Sequence, residues 1–396
     1  MSETGLAHLA SVTADLDGGA DTLAVGSRLR TSGIDPHRAA ALVGAAVTRR
    51  RARDRWPDAD RLVFTRAGLE QASDPAVSRW RARRLADAPH LEDRAAGCGG
   101  DSLALAAAGA SVTAIDADEG RLILLRHNAV ARGLTVDTVV ADALVHPPPA
   151  TGPVHADPGR RVDGRRVRRL SEHRPSVPAL LDHLASVREG PGVAVVLGPG
   201  VDLADPDLPA DAELEFVQVG WQLVEAVVWT GALRQSGVRA TATVLDRDAS
   251  VDRPTATRTG GARGERLRSG PIGSVLLEVA PAAVRARLHD DIGAEVGAHR
   301  IADRRALLTA PDDPGPSPWY RRRVVEAVLP ARADAVRRHL AASDDRPYEL
   351  VLHGLDTDLA AFRRGLRGLR SGPGGRRIEL VRTDDGAVAI VTTDPT

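Results

Sequence analysis

The chain has 396 residues, 43% of them apolar and 27% charged, with 53 acidic and 53 basic residues that cancel to a formal net charge of zero. Such a composition belongs to a globular protein of two or three domains, and the charge balance gives no global sign of a nucleic-acid partner. The single cysteine, Cys98, excludes an internal disulfide and a cysteine-rich zinc site. The first residues lack the basic and apolar regions of a secretory signal, and no apolar run is long enough to cross a bilayer, so a cytoplasmic protein with no membrane partner is expected.

Residues 1–90 read as a helical region. Ala39, Ala40, Leu42, Val43, Ala46 and Val47 recur at helical spacing after Asp35-Pro36, a good helix start. Arginines accumulate at Arg49, Arg50, Arg51, Arg53 and Arg55, then at Arg79, Arg81, Arg83 and Arg84 around Trp80. They form either a basic face for nucleic acid or a solvated helix face balanced by Asp54, Asp58 and Asp60.

From 91 to 246 short apolar runs alternate with helical stretches, the pattern of a mostly parallel α/β sheet. The expected strands are Val112–Ile115, Val136–Val140, Val154–Asp157, Val193–Leu197, Leu214–Val219 and Leu223–Trp229, the last two forming a hairpin. A strand must also precede Gly97, yet HLEDRAA carries charge where a buried parallel strand should be apolar. Residues 247–272, rich in Gly, Arg, Thr and Pro, suggest a linker. A second α/β pattern follows over 273–396. It has helices at Pro281–Leu288, Ala333–Leu340 and Leu359–Leu369, strands at Val324–Leu329 and Glu349–Leu352, and a hairpin of Ile378–Val381 with Val388–Val391.

The chemistry centres on the stretch from Asp93 to Asp116, where Gly97, Gly99 and Gly100 precede a helix and an apolar strand that ends in Asp116. This is the grammar of a nucleotide-binding βαβ unit. The glycines admit backbone to the ligand, and an acid about 20 positions on can hold ribose hydroxyls. Asp142 and Asp157 end the next two strands, so the strand ends should line one cleft. Asp101, directly after the glycines, disfavours a phosphate and is compatible with a cationic sulfonium, which places S-adenosylmethionine ahead of a dinucleotide. Asp157-Pro158-Gly159-Arg160 reads as the acceptor turn, with Asp157 aiming a carboxylate at an amine. Arg160, Arg161, Arg165, Arg166, Arg168 and Arg169 put six arginines into ten residues beside it, suited to phosphate contact or simply solvated. Asn128 could hydrogen-bond back to the strand-end loop but reads by default as a helix-surface amide, and Cys98 reads as a small loop filler. No spacing of histidines with acids suggests a metal.

Taken together, Asp93-Arg94-Ala95-Ala96-Gly97-Cys98-Gly99-Gly100-Asp101, Ala114-Ile115-Asp116 and Arg126-His127-Asn128-Ala129 resemble the cofactor motifs of class I S-adenosylmethionine-dependent methyltransferases. The resemblance is to bacterial members with a C-terminal THUMP-like domain and, more distantly, to trimethylguanosine synthases. It implies a Rossmann-like α/β sheet closed by an antiparallel hairpin, an N-terminal helical region and a THUMP-like α/β domain. It further implies methyl transfer from S-adenosylmethionine to RNA, because THUMP modules bind RNA. By matching positions, Gly97 and Gly99 border the methionine moiety, Gly100 continues that loop, Asp116 holds the ribose, Asp142 lies by the adenine and Asp157 by the acceptor. A degenerate scaffold that only binds RNA, and a methyltransferase for a small molecule or a protein, stay open as alternatives. Oligomeric state is not legible.

Overall fold

In the computed structural model, residues 3–162, 165–246, 254–260, 266–302, 306–355 and 357–395 are described. They divide into two compact units, one of Met1–Ala240 with Leu245–Pro254 and one of Thr241–Val244 with Thr255–Thr396.

The first unit opens with α1 (Glu3–Asp17), α2 (Thr22–Thr31) and α3 (Pro36–Ala52). They bury Leu9, Val12, Leu16, Val25, Leu29, Ala39 and Leu42 against one another. Asp35 caps α3 by accepting the His37 and Arg38 N–H groups at 3.0 and 3.1 Å, with Pro36 in the first turn where no N–H is needed. Two further helices, α4 (Arg66–Gln71) and α5 (Pro75–Leu85), lead into the sheet.

The arginines of these helices divide: Arg49, Arg81 and Arg84 turn inward, whereas Arg50, Arg51, Arg53 and Arg83 stay exposed, Arg53 balanced by Asp60 as on a solvated face. Arg49 is buried and donates to the Leu62 carbonyl at 3.0 Å, and Arg53 forks onto Asp17 and Asp60. Arg84 pairs with Glu213 and lies over the Trp229 ring, while Arg81 is sealed inside the unit.

The sheet follows as β1 (His90–Arg94), α6 (Gly100–Ala107), β2 (Ser111–Asp116), α7 (Glu119–Ala131), β3 (Asp137–Val140) and β4 (Val154–Ala156). A short hairpin of β5 (Arg161–Val162) and β6 (Arg165–Arg166) comes next. After it come α8 (Val177–His183), α9 (Ala185–Glu189), β7 (Val193–Leu197), β8 (Glu213–Val219) and β9 (Gln222–Trp229), then β10 (Ala240–Leu245), most of which is assigned to the second unit. The strand order is β8-β9-β7-β4-β1-β2-β3. Strands β1 to β4 and β7 run parallel, and β9 lies antiparallel between β7 and β8.

The charged stretch before Gly97 is therefore a strand, and a central one, paired with β2 on one side and β4 on the other. Glu92, Asp93 and Arg94 are all buried there. Their charges are tolerated because each meets a built partner. Glu92 and Arg94 share one face of the strand and pair at 2.7 Å, as period-two alternation requires. Asp93, on the other face, meets His155, its register neighbour on β4.

In the second unit, β11 (Ala256–Gly260), β12 (Val275–Val279), α10 (Pro281–Arg285), α11 (His289–Glu295), β13 (His299–Arg300) and β14 (Leu307–Ala310) precede the long β15 (Tyr320–Pro330). Then come α12 (Ala333–Ala341), β16 (Tyr348–His353), α13 (Leu359–Gly365), β17 (Arg376–Thr383) and β18 (Gly386–Thr393). A seven-stranded sheet runs β13-β14-β12-β15-β18-β17-β16, antiparallel except for β16 with β17. Helices α12 and α13 bury Val336, Leu340, Phe362 and Leu366 against it.

Three local expectations change here. The helix read over Pro281–Leu288 ends at Arg285, and α11 starts only at His289, beyond Arg287, whose φ of 60° lies in the left-handed region. Strands β12, β13 and β14 lack the alternation that would have marked them. Of the presumed linker, 247–253 and 261–265 lie outside the described residues, and Ala256–Gly260 is a strand.

The loop after β1 holds Ala95 at φ 58°, a left-handed conformation that disfavours any side chain with a Cβ. Ala95→Gly removes that penalty at a smaller entropic loss in the unfolded chain, so chemical denaturation should show a gain of about 0.5 kcal/mol. A loss of stability would mean that the Ala95 methyl contributes more by packing than it costs in backbone strain.

Candidate functional site

The carboxyl ends of β1, β2, β3 and β4 open onto a cleft with two lobes that share Ala95, Arg121 and Arg174. The first lobe, about 380 Å³, is lined by Gly97, Gly100 and Asp101 of the glycine loop, by Asp157, Pro158 and Arg160 after β4, and by 65–73 of the helical region. The second, about 490 Å³, is lined by Asp116 and Ala117, by Asp142, Ala143 and Leu144, and by 171–176.

Asp116, buried at the end of β2, spends both oxygens on backbone: the Gly97 N–H donates at 2.9 Å and the Asp118 N–H at 2.9 Å. It thereby ties the glycine loop to the β2 turn while walling the second lobe. Asp142 is exposed and accepts the Leu144 N–H at 2.8 Å, which fixes the turn below β3. Gly99 does not line the cleft. It begins α6 at φ 89°, and a Cβ there would stand 2.6 Å from Leu125 Cγ, so this glycine serves helix packing.

The helical region is part of the site. Asn128, expected on a helix surface, is completely buried. Its Oδ1 accepts the Val63 N–H at 2.8 Å and its Nδ2 donates to the Val63 carbonyl at 3.0 Å and the Cys98 carbonyl at 3.5 Å. One amide thus binds the extended segment before α4 as a neighbouring strand would, and joins it to the glycine loop. Helix α4 comes so close that a Cβ on Gly68 would lie 2.6 Å from Cys98 Sγ. Cys98 fills that contact, and burial pushes its thiol pKa up, away from reactivity.

Beneath the first lobe lies a buried ionic network. Arg81 of α5 pairs with Asp101 and with Glu225 of β9, and donates to Ser73 Oγ at 2.9 Å; that hydroxyl donates to Asp101 at 3.0 Å. Burial works against an ionised Asp101, but Arg81 overrules it and holds the carboxyl below the ordinary range. For Asp157 burial comes first and the Asp101 charge second, and its pKa is pushed up to about 7. His155 is fully buried. Burial opposes its charge, but the Asp93 carboxylate 2.8 Å from Nδ1 raises its pKa above the usual imidazole value.

Of the arginines after β4, Arg160, Arg161 and Arg166 line the first lobe, joined by Arg174, whereas Arg165 does not. Arg160 Nη1 and Arg166 Nη2 lie 3.0 and 3.6 Å from where a Cβ on Gly198 would be. Arg174 was missed in the sequence because it stands apart from the cluster; backbone bonds with Gly159 at 2.8 and 3.0 Å bring it back beside the Asp157–Arg160 turn.

A parallel sheet whose closing strand inserts antiparallel between β7 and β8, with a glycine loop after its central strand, defines a class I methyltransferase fold. The comparisons agree. The chain is 32% identical over 326 residues to an uncharacterized S-adenosylmethionine-dependent methyltransferase of Mycobacterium tuberculosis strain H37Rv, covering 82% of this chain and 85% of the relative; its counterpart in strain CDC 1551 matches equally. A crystal structure of a candidate methyltransferase from Porphyromonas gingivalis W83 superposes with a TM-score of 0.73 over 92% of both chains at 18% identity, a likeness of fold. No family model matches. The chain belongs to the S-adenosylmethionine-dependent methyltransferases; it is an enzyme, and S-adenosylmethionine is its cofactor. Among the described residues, no helix is long and apolar enough to cross a membrane.

Asn128→Ala leaves the Val63 N–H and carbonyl buried without partners. Unfolding should lose about 2–3 kcal/mol, and S-adenosylhomocysteine binding should weaken because the α4 wall loosens from the glycine loop. A variant as stable as wild type would show that the segment holds itself in place.

Proposed function

We propose that this methyltransferase acts on RNA, methylating a nitrogen of a base. The observation that carries the reading is the charge at the mouth of the cleft. Arg160, Arg161, Arg165, Arg166, Arg168, Arg169 and Arg174 make no salt bridge among the described residues, whereas Arg53, Arg81, Arg84, Arg94 and Arg132 are all paired. In a chain of zero net charge, this concentration of free guanidinium beside the cleft fits the phosphates of a polyanion.

In this reading the second lobe takes the adenosine part of the cofactor, with Asp116 at the ribose and Asp142 near the adenine. Gly97, Gly99 and Gly100 shape the loop at the methionine end. S-adenosylmethionine supplies the electrophilic methyl carbon. Asp157, with Pro158 fixing its turn, accepts a hydrogen bond from the attacking amine and aligns its lone pair for in-line displacement. Arg160, Arg161 and Arg166 hold phosphate, with Arg165 further out along the same path. Residues 1–90 and 91–246 then form the helical and catalytic parts, and 273–396 a THUMP-like module that adds RNA contact. Exposed Arg337, Arg363 and Arg367 around α12 and α13 support that last role.

The direct test offers labelled S-adenosylmethionine with total RNA from a strain lacking the gene and from wild type. Methyl should enter only the deletion RNA, and label entering protein or small metabolites instead would defeat the reading. RNA affinity should fall steeply with salt. Arg160→Gln with Arg166→Gln should flatten the log–log slope by roughly 1.4, at about 0.7 per single-strand phosphate; an unchanged slope would remove these two from the phosphate path.

Asp157 also predicts a pH dependence. Its raised pKa keeps the carboxyl protonated below about 7, where it is a weaker, uncharged acceptor for the amine and cannot take its proton. Single-turnover rates should climb through about pH 7 and level off above it. Asp157→Asn should be slow and lack that limb. A wild-type profile flat across neutral pH would exclude Asp157 from this role.

A further inference from the structure

The second lobe stands on a side chain that lines neither lobe. Arg94 lies at the end of β1, completely buried, in the middle of the sheet. Its guanidinium has five N–H donors, and five hydrogen bonds use them. Two go to Glu92 Oε2, at 3.0 Å from Nε and 2.7 Å from Nη2. The other three go to backbone carbonyls of the single turn after β3: Ala143 at 2.8 Å, His146 at 3.0 Å and Pro147 at 2.7 Å. The His183 ring adds a contact of 2.8 Å to the same His146 carbonyl, and the His146 ring stands 3.5 Å from Glu92.

This turn carries Asp142, Ala143 and Leu144, the β3 side of the second lobe. Its other ties are the His183 contact and bonds inside the turn, from the Leu144, Val145 and His146 N–H groups to Asp142. Asp142 is exposed, and β3 is a four-residue edge strand with no buried residue. A buried cation on the central strand is costly unless fully bonded, and here its bonding is directed at one loop.

We propose that Arg94 is a positioning residue for cofactor binding: it sets the 142–147 turn against the adenosine end of S-adenosylmethionine and takes no part in methyl transfer. The inference rests on the reading of the second lobe as the adenosine site, and it does not depend on the acceptor. Arg94 touches neither cofactor nor acceptor, so its loss should act on affinity for anything bearing the adenosine group and spare the chemical step.

The test is calorimetry of Arg94→Lys with S-adenosylhomocysteine and with 5′-methylthioadenosine, beside steady-state kinetics. Lysine keeps the charge but has three donors and no fork, so carbonyls of the turn go unsatisfied. Both dissociation constants and the KM for S-adenosylmethionine should rise together by about tenfold, with kcat at saturation within about twofold of wild type. If kcat falls while both dissociation constants hold, or if nothing changes in a folded protein, the proposal is wrong. Should the lysine variant not fold, Glu92→Leu with Arg94→Met removes the ion pair without leaving a lone buried charge. It should show the same rise, and wild-type affinity in that variant would equally overturn the proposal. Leu144→Arg, which fills the second lobe, separates the two readings. If it leaves S-adenosylhomocysteine binding intact, the adenosine assignment falls and this inference with it. If it abolishes binding while the Arg94 variants bind normally, only the role of Arg94 is lost.

Discussion

Everything at the cleft is referred to a central parallel strand that buries three consecutive charges. Glu92, Asp93 and Arg94 occupy positions where apolar side chains would fill a doubly covered sheet. Removing one member of a buried pair strands the other at several kcal/mol, so these residues stay only while each partner does. The partners lie on different elements. Arg94 reaches the turn after β3, and Asp93 meets Ser102 of α6 and His155 of β4. The strand therefore behaves less as a hydrophobic plank than as a polar hub, and the loops on both sides of the cleft take their positions from it.

A second set of ties runs from the N-terminal helices. Arg81 reaches Asp101 and Glu225, Asn128 grips Val63, and Gly68 admits Cys98. Each joins the 62–81 segment to the glycine loop or to β9. The helical region is thus one wall of the cleft and shares its electrostatics; it is not an appendage carrying basic charge.

What the sequence disclosed follows from how local each signal is. Strands β2, β7, β8 and β9 are apolar runs with clear ends, and Asp35-Pro36 is a local helix signal, so all were legible. The glycine loop and its distant acid were legible because their spacing is set within one βαβ unit. Strand β1 was hard to read because its stability comes from partners as remote as His155 and Pro147. Asn128 misled for the same reason: a polar residue on an amphipathic helix reads as exposed until Val63, 65 residues earlier, is laid against it. The arginines of α5 looked like a surface because nothing in their spacing reveals carboxylates on β8, β9 and α6, and on α3 nothing local shows that Arg49 turns inward to the Leu62 carbonyl.

The division of protons among the acids near Arg81 follows from a shortage of cations. One guanidinium faces Asp101, Glu225 and Asp157 in a buried setting. Asp101 and Glu225 hold it by direct contact, whereas Asp157 feels it only at a distance, as it does Arg160 and His155. Asp101 also receives the Ser73 hydroxyl, so its charge is the best supported and its pKa falls. That fixed negative charge adds to burial in raising Asp157, which keeps its proton until about neutral pH. Glu225 also rises, with burial outweighing the Arg81 contact. A single buried arginine from the N-terminal helices thus separates a carboxylate held ionised beneath the glycine loop from a carboxyl after β4 that titrates near neutral pH, so that environment alone divides two neighbouring acids into a fixed charge and a titratable group.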